Sequence, residues 1–497
     1  MNHDTNTGAL PELTSDFLRS SDNLIDNVFA DLWKQIGMHT LLNQSGFQKR
    51  SGVAVSSVLY CLTMWVWLRA HSVSLFARDS LRTFCNAGKD VLYEALNRED
   101  WNWRALHLRV ASKTLQQLTT SSSTRAFVLD DTIKMRSGKK MPGVSSHFDH
   151  TTGRHVIGQQ ILTLGLATTE GFVAIDSELF TGQTKVQGLD TQFKDGRSIA
   201  AKRFQVAQTQ TKPEMAKSMI ARAKRAGIDA MYLLADAWFG TKHMLAIAED
   251  ALLTAIVRMK KNKMKYRCTQ YTSGKVVYKE MDLQTIYKSE VRKQWEKVPG
   301  QPYQSKTVVV ELNLNDTKEE AARWIKVRLV FVRGVAESDN KQPGKHDWVV
   351  FLSTDSNLDS QKILELYAMR WAIEVYFKES KQHLGFLKEQ GRHYACYIAS
   401  IHLTAIRFCL LVIAKQQHGA SGVAQMRQHI VDNITQIDFA SRLWGRFRAL
   451  IVGAIDELKP VLGDTADLVM KTIDLHVQRF FVQALQLDPL QMRLESS

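Results

Sequence analysis

Five residues near position 370 share one side of a helix. Tyr367, Arg370, Glu374, Lys378 and Lys381 recur at helical spacing, and at about 100° per residue their side chains fall within an arc of about 80°. One carboxylate there is flanked by three cations and a phenol, while Leu366, Met369, Ile373 and Phe377 are left for the opposite, packing side. Taken alone, such a face is commonly a solvated one with an i,i+4 pair, here Glu374 with Lys378. Two other places in the chain offer carboxylates that could join it. An apolar run from Ala126 ends in Asp130 and Asp131, and another, Met231 to Ala235, ends at Asp236. Carboxylates from two strand ends and a packed helix can converge on one point. A few hard oxygen ligands suit Mg²⁺, which keeps waters and phosphate oxygens in its shell. Two such ions about 4 Å apart can serve the attacking and the leaving oxygen of a phosphoryl transfer.

The spacing Tyr367-x2-Arg370-x3-Glu374-x6-Lys381, set in Tyr-Ala-Met-Arg-Trp-Ala-Ile-Glu-Val-Tyr-Phe-Lys, resembles the Y-R-E-K signature of bacterial insertion-sequence DDE transposases. These are cut-and-paste enzymes, and the likeness is to their hairpin-forming branch. The run Phe127-Val128-Leu129-Asp130-Asp131-Thr132 is similar to the family's first motif, with an Asp two residues before a Ser or Thr. Leu233-Leu234-Ala235-Asp236-Ala237-Trp238-Phe239-Gly240 is similar to the second. The resemblance covers about residues 125 to 410. It implies that Asp130, Asp236 and Glu374 are the catalytic, metal-binding carboxylates, with Asp131 the rival of Asp130 or a support to the metal. It implies two Mg²⁺ ions, for which Mn²⁺ can substitute, and a DNA transposase that cleaves transposon ends and joins the 3′-OH to target DNA. The partners implied are double-stranded DNA, as terminal inverted repeats and target, and a second copy of the chain in the synaptic complex. Tyr367, Arg370 and Lys381 are then expected on the DNA backbone near the cut, with Lys378 beside them. Trp348 is expected either to stack on a base flipped from the duplex or to pack at a strand start.

The elements needed to position these residues are legible as a change of texture along the chain. Residues 1–118 read as helical, from Leu24, Ile25, Val28, Phe29, Leu32 and Trp33 through the apolar stretch Val53 to Leu68. Phe47 to Gly52 could belong to a helix-turn-helix or to a plain helical bundle. Thr119 to Thr124 reads as a linker. Strands follow at Ala126 to Asp131, Val156 to Thr168 and Phe172 to Phe180, with a hairpin turn at Glu170-Gly171. Pro213 opens a helix that Gly227 closes. A strand at Met231 to Ala235, a helix from Thr241 to Leu252 and a strand from Thr254 to Arg258 complete the pattern. This order predicts an α/β fold with a ribonuclease H-like catalytic core. A β-rich insertion then delays one continuous amphipathic helix from Ser360 to His383. The expected division is a helical DNA-binding domain (1–118), a first core part (125–258), the insertion (259–347), a second core part bearing Glu374 (348–410) and a helical C-terminal region suited to dimerisation (411–497).

Charge points the same way. The chain has 497 residues, 65 Lys and Arg against 50 Asp and Glu, and a formal net charge of +15. A basic protein of this size suits a polyanion, and nucleic acid is the commonest one. Arg258, Lys260, Lys261, Lys263, Lys265 and Arg267, with Tyr266 among them, form a segment able to neutralise phosphates. Lys134, Arg136, Lys139, Lys140, Lys202 and Arg203 are looser candidates, and Trp238 and Trp371 are expected in the core or behind the metal ligands. The five cysteines are scattered without metal-ligand spacing, as reduced cytosolic thiols are. The polar N-terminus lacks a secretory pattern, and Val53 to Leu68 is shorter than the ~20 residues of a membrane span, so a cytoplasmic protein with no membrane partner is expected. Two rival readings are a DNA-binding protein without catalysis and a ribonuclease H-like nuclease that cuts without joining.

Overall fold

The computed structural model describes residues 28–68, 70–118, 124–138, 141–149, 153–181, 193–272, 275–291, 295–315, 321–334, 348–389, 391–473 and 476. The chain enters through helices α1 (Val28–Gln35), α2 (Met38–Gln44), α3 (Val55–Met64), α4 (Val73–Asp79), α5 (Leu81–Phe84), α6 (Lys89–Leu96) and α7 (Trp103–Leu118). Phe47, between α2 and α3, is buried against Trp101 and Trp103. Residues 119–123 of the linker expected at Thr119 to Thr124 lie outside the described residues, as do Met1 to Asn27.

The apolar runs that follow form β1 (Ala126–Met135), β2 (Ser145–Asp149), β3 (Arg154–Ala167) and β4 (Phe172–Phe180). Helices α8 (Ile199–Thr209) and α9 (Lys212–Arg225) lead to β5 (Tyr232–Ala235), α10 (Lys242–Asp250) and β6 (Thr254–Met259). α9 starts as its sequence predicts: Thr211 and Glu214 form a reciprocal capping box, Pro213 stands in the first turn, and Gly227 beyond its end takes φ +77°. β1, β5 and β6 are parallel, whereas β3 is antiparallel to β1 and β4 to β3.

The segment expected as an insertion continues the same sheet. It contains β7 (Tyr266–Thr272), β8 (Lys275–Met281), the short α11 (Leu283–Ile286), β9 (Glu296–Lys297), β10 (Tyr303–Asn313) and β11 (Trp324–Gly334). β12 (Trp348–Ser353) then lies between β6 and β11, antiparallel to both. The 12-stranded sheet runs β2-β3-β1-β5-β6-β12-β11-β10-β7-β8, with β4 on β3 and β9 on β10.

The helix expected from Ser360 to His383 is instead two, α12 (Ser360–Ala368) and α13 (Trp371–Gln382). At the joint the backbone tightens to i→i−3 bonds: Arg370 N–H donates to Tyr367 O at 3.0 Å and Ile373 N–H to Arg370 O at 3.2 Å. Two long helices follow, α14 (Tyr394–His418) and α15 (Val423–Leu462). Every residue from Tyr394 to Ala414 is buried. Among the described residues α14 is the one helix long and apolar enough to cross a membrane, and here it is a core helix. It packs against α1, α3, α6, α7 and β4. Residues 28–118 therefore share one hydrophobic core with the sheet.

Candidate active site

Strand geometry brings two carboxylates together. In the parallel pair β1–β5 the last partners are Leu129 and Ala235, so Asp130 and Asp236 follow side by side. Each carboxylate accepts a nearby amide: Asp131 N–H donates to Asp130 Oδ1 at 2.8 Å and Trp238 N–H to Asp236 Oδ1 at 2.9 Å. Side chains alternate across a strand, so Asp131 takes the other face. There it accepts Lys212 Nζ at 2.6 Å and Gln160 Nε2 at 2.7 Å.

The start of α13 lies over the first face. Arg370 Nη1 is 2.9 Å from Asp130 Oδ2 and 3.2 Å from Glu374 Oε1, so one guanidinium joins both carboxylates. Glu374 is in the first turn of α13, where a carboxylate suits the helix dipole. The Tyr367 ring rests 4.6 Å from that of Phe351, with Arg370 5.7 Å from the Tyr367 ring centre. Burial raises the Tyr367 phenol above its usual range; Arg370 and Arg258 oppose the rise, and the charge of Asp236 adds to it. Burial, then the adjacent charge of Asp236, pushes the Asp130 carboxyl up to about 7, and Arg370 restrains the rise. Asp130, Asp236, Tyr367, Arg370, Glu374 and Arg258 thus gather in one place.

The remaining cations divide. Lys134 sits in the field of Arg136, Lys388 and Lys381, and burial and those charges pull its ammonium below the usual range. Such a cluster of like charges favours a polyanion. Arg136 is also tied to Gln159 and the Leu387 carbonyl. Lys378, Lys260 and Lys263 are exposed. Lys261 lies over the Trp348 ring at 4.1 Å and Lys265 pairs with Asp282 at 3.3 Å. Arg267 is paired with Glu311 across β7 and β10, and Tyr266 is wholly buried, so these two hold the sheet together.

Several expected positions are corrected. Trp348 is buried, stacked on Tyr287 with ring centres 4.4 Å apart and Lys261 over it, which is the strand-start packing and leaves no face for a base. Arg203 is buried on the opposite side of the sheet, bound to Glu178 and the Ser177 carbonyl, while Lys202 is exposed. Trp371 is 66% exposed, because Ile373, Tyr376 and Phe377 take the inner side of α13; Trp238, 36% exposed in the loop after β5, is not a core residue but stands behind Asp236 through its amide, the other place expected for it. Lys139 and Lys140 lie outside the described residues. Lys212 and Lys388 were not anticipated. A lysine at the first position of a helix, against the dipole, is the signal that could have drawn attention to Lys212.

A family profile described as DDE superfamily endonuclease matches residues 54–326, more than half of the chain. The chain belongs to the DDE superfamily of endonucleases. The match takes in Asp130, Asp236 and the helices from residue 54, where sequence reading found no likeness, and ends before Glu374. No curated protein matches the chain. DDE superfamily enzymes act on DNA and generally use divalent metal ions.

The donor chemistry fits such an ion. Two adjacent carboxylates, one of them largely buried, call for a cation, and in this arrangement the Arg370 guanidinium meets part of that demand. Among the described residues no three His, Cys, Asp or Glu side chains stand close enough to hold an ion together as they are. Asp130 and Asp236 are the near pair, and Glu374 stands across the guanidinium from Asp130.

Proposed function

We propose that the protein is a DNA transposase of the insertion-sequence type, which cleaves transposon ends and joins the freed 3′-OH to target DNA. The observation that carries the reading is the grouping of three carboxylates: Asp236 beside Asp130 at two parallel strand ends, and Glu374 joined to Asp130 through Arg370, 240 residues along the chain. The core is read as ribonuclease H-like: three antiparallel strands, then two strands parallel to the first, then the helix with the glutamate. Asp130 is preferred to Asp131 because Asp131 is committed to Lys212 on the other face.

In this reading Asp130, Asp236 and Glu374 would hold two Mg²⁺ ions, or Mn²⁺ in their place, which would supply activation of the attacking oxygen and charge neutralisation at the phosphate. The chain's own residues bind and orient the DNA. Arg370, which here links Asp130 to Glu374, is the guanidinium placed to grip a phosphate oxygen. Tyr367 is fixed by Phe351 beside it. Lys134, Lys381 and Lys388 face one stretch of backbone, with Lys378, Lys260 and Lys263 further along. The hairpin route draws no support from Trp348, so the proposal is confined to cleavage and joining. A second copy of the chain is part of it, supported by an apolar stripe on α15. Phe447, Leu450, Ala454, Leu458 and Val461 fall within about 80° of one another, all of them exposed.

The test is cleavage and joining of linear DNA carrying the element's own ends, in Mg²⁺ or Mn²⁺. Wild type should give cut and joined products, and Glu374→Ala should bind the ends and give neither. Cleavage without joined product would leave a nuclease, and end binding without cleavage by wild type would leave a DNA-binding protein.

A further inference from the structure

We propose that Lys212 is a positioning residue that ties together the two strand ends bearing Asp130 and Asp236. The inference rests on the assignment of those aspartates as metal ligands. The β1–β5 ladder stops at Leu129 and Ala235, one residue short of both carboxylates. Beyond it each carboxylate is aimed by one amide, from Asp131 for Asp130 and from Trp238 for Asp236. The side chains of those two donors meet on a single ammonium. Lys212 Nζ is 2.6 Å from Asp131 Oδ2 and 4.3 Å from the centre of the Trp238 ring. Phe180 closes the site at 5.3 Å, and Gln160 holds the second oxygen of Asp131 at 2.7 Å. Lys212 is only 6% exposed, at the first residue of α9, where the helix dipole opposes a positive charge. A cation kept there needs its partners, and both are the residues whose amides orient the carboxylates.

Rotation of either peptide would break the buried ion pair or the cation–ring contact. Lys212 therefore fixes the separation and aim of Asp130 and Asp236 from the far face of the sheet, touching neither. Partners of this kind behind metal ligands are typically worth 10–100-fold in metal affinity.

The test is Mn²⁺ binding to the full-length protein, read from the paramagnetic resonance signal of free Mn²⁺. Lys212→Met alone would strand a buried carboxylate and can fail through stability. The double variant Lys212→Met/Asp131→Asn removes both charges and keeps the packing, and Trp238→Leu removes the other grip at a partly exposed position. Melting temperature and binding of end DNA without metal identify the folded proteins. Both variants are expected to fold and to bind Mn²⁺ more weakly, the double variant by about 10-fold or more. Wild-type Mn²⁺ affinity in either folded variant, with affinity lost in Asp236→Asn, overturns the role of Lys212 and leaves the site assignment standing. Unchanged affinity in Asp236→Asn removes the assignment and the role of Lys212 with it.

Discussion

His107 and His402 share a chain of hydrogen bonds whose proton positions are set at its two ends. His107 Nε2 donates to the Ala174 carbonyl at 2.9 Å, so its Nδ1 accepts from His402 Nδ1 at 3.1 Å, and His402 Nε2 accepts from Arg203 at 2.6 Å. Both rings are neutral in that chain, and a further proton on either would set donor against donor. Burial pushes His107 down to about 4 and His402 well below its usual range, the nearby Arg203 helping in both cases. An unfolded histidine titrates near 6.5. The unfolded chain thus gains protons that the folded one refuses as pH falls. The stability is complete above about pH 6.5 and declines toward pH 4, by about 3 kcal/mol from His107 alone. In an Asp130→Asn background, which removes the opposing gain in stability that the raised Asp130 carboxyl gives as pH falls below 7, denaturant midpoints measured from pH 8 to 4.5 should fall on the acid side of 6.5; a flat profile there would contradict the neutral pair. Trp348 gives a second prediction at this scale. As a buried packing residue its replacement by Ala should cost about 3–5 kcal/mol in an unfolding titration, whereas a base-stacking residue would leave stability unchanged. Residue identity was legible where types and spacing recur, as in Tyr367, Arg370 and Glu374. What a strand pattern could not tell is which face looks inward. Asp130 and Asp131 differ only in that, and the neighbours that decide it, Lys212 and Arg370, lie 81 and 240 residues away.

Among the elements, the joint between α12 and α13 was invisible because its backbone angles stay helical, at φ −60° for Met369 and −57° for Arg370. Only the bonding changes, and three residues of the tighter turn bring Arg370 back over Tyr367. α14 is held by a buried pair that sequence could not reveal. Arg407 donates to Glu389 at 3.0 Å, to the Thr63 carbonyl at 2.9 Å and to the Leu384 carbonyl at 2.8 Å, joining the end of α3, the segment after α13 and α14. Arg407→Met should lower stability by about 3–5 kcal/mol by stranding Glu389, and Arg407→Met/Glu389→Gln should recover much of it. Chemical denaturation of the two variants decides this, and equal losses would show that the arginine's carbonyl contacts, rather than the ion pair, dominate.

For the whole molecule, strand and helix types were largely legible from periodicity, because buried parallel strands and capped helices carry local signals. The sheet order was not, since β12 pairs with both β6 and β11 through contacts that no local pattern encodes. The net charge of +15 leads to a further expectation. If six or more phosphates are neutralised, affinity for end DNA should drop by about 10³-fold or more between 50 and 200 mM salt. A weak salt dependence in a filter-binding series would mean that few of the basic residues touch DNA. The α15 stripe belongs at this scale too. Leu458→Glu/Val461→Glu should shift light-scattering mass toward the monomer without changing the melting temperature, and an unchanged mass would move the contact elsewhere.

α14 has a consequence for a chain still being made. Helices α1, α3, α6 and α7 bury apolar sides on Tyr394–His418, which the ribosome delivers only after the sheet and both candidate aspartates have emerged. Until then the nascent protein must keep that surface from aggregating, and a polypeptide released at residue 393 should partition into the insoluble fraction and engage chaperones.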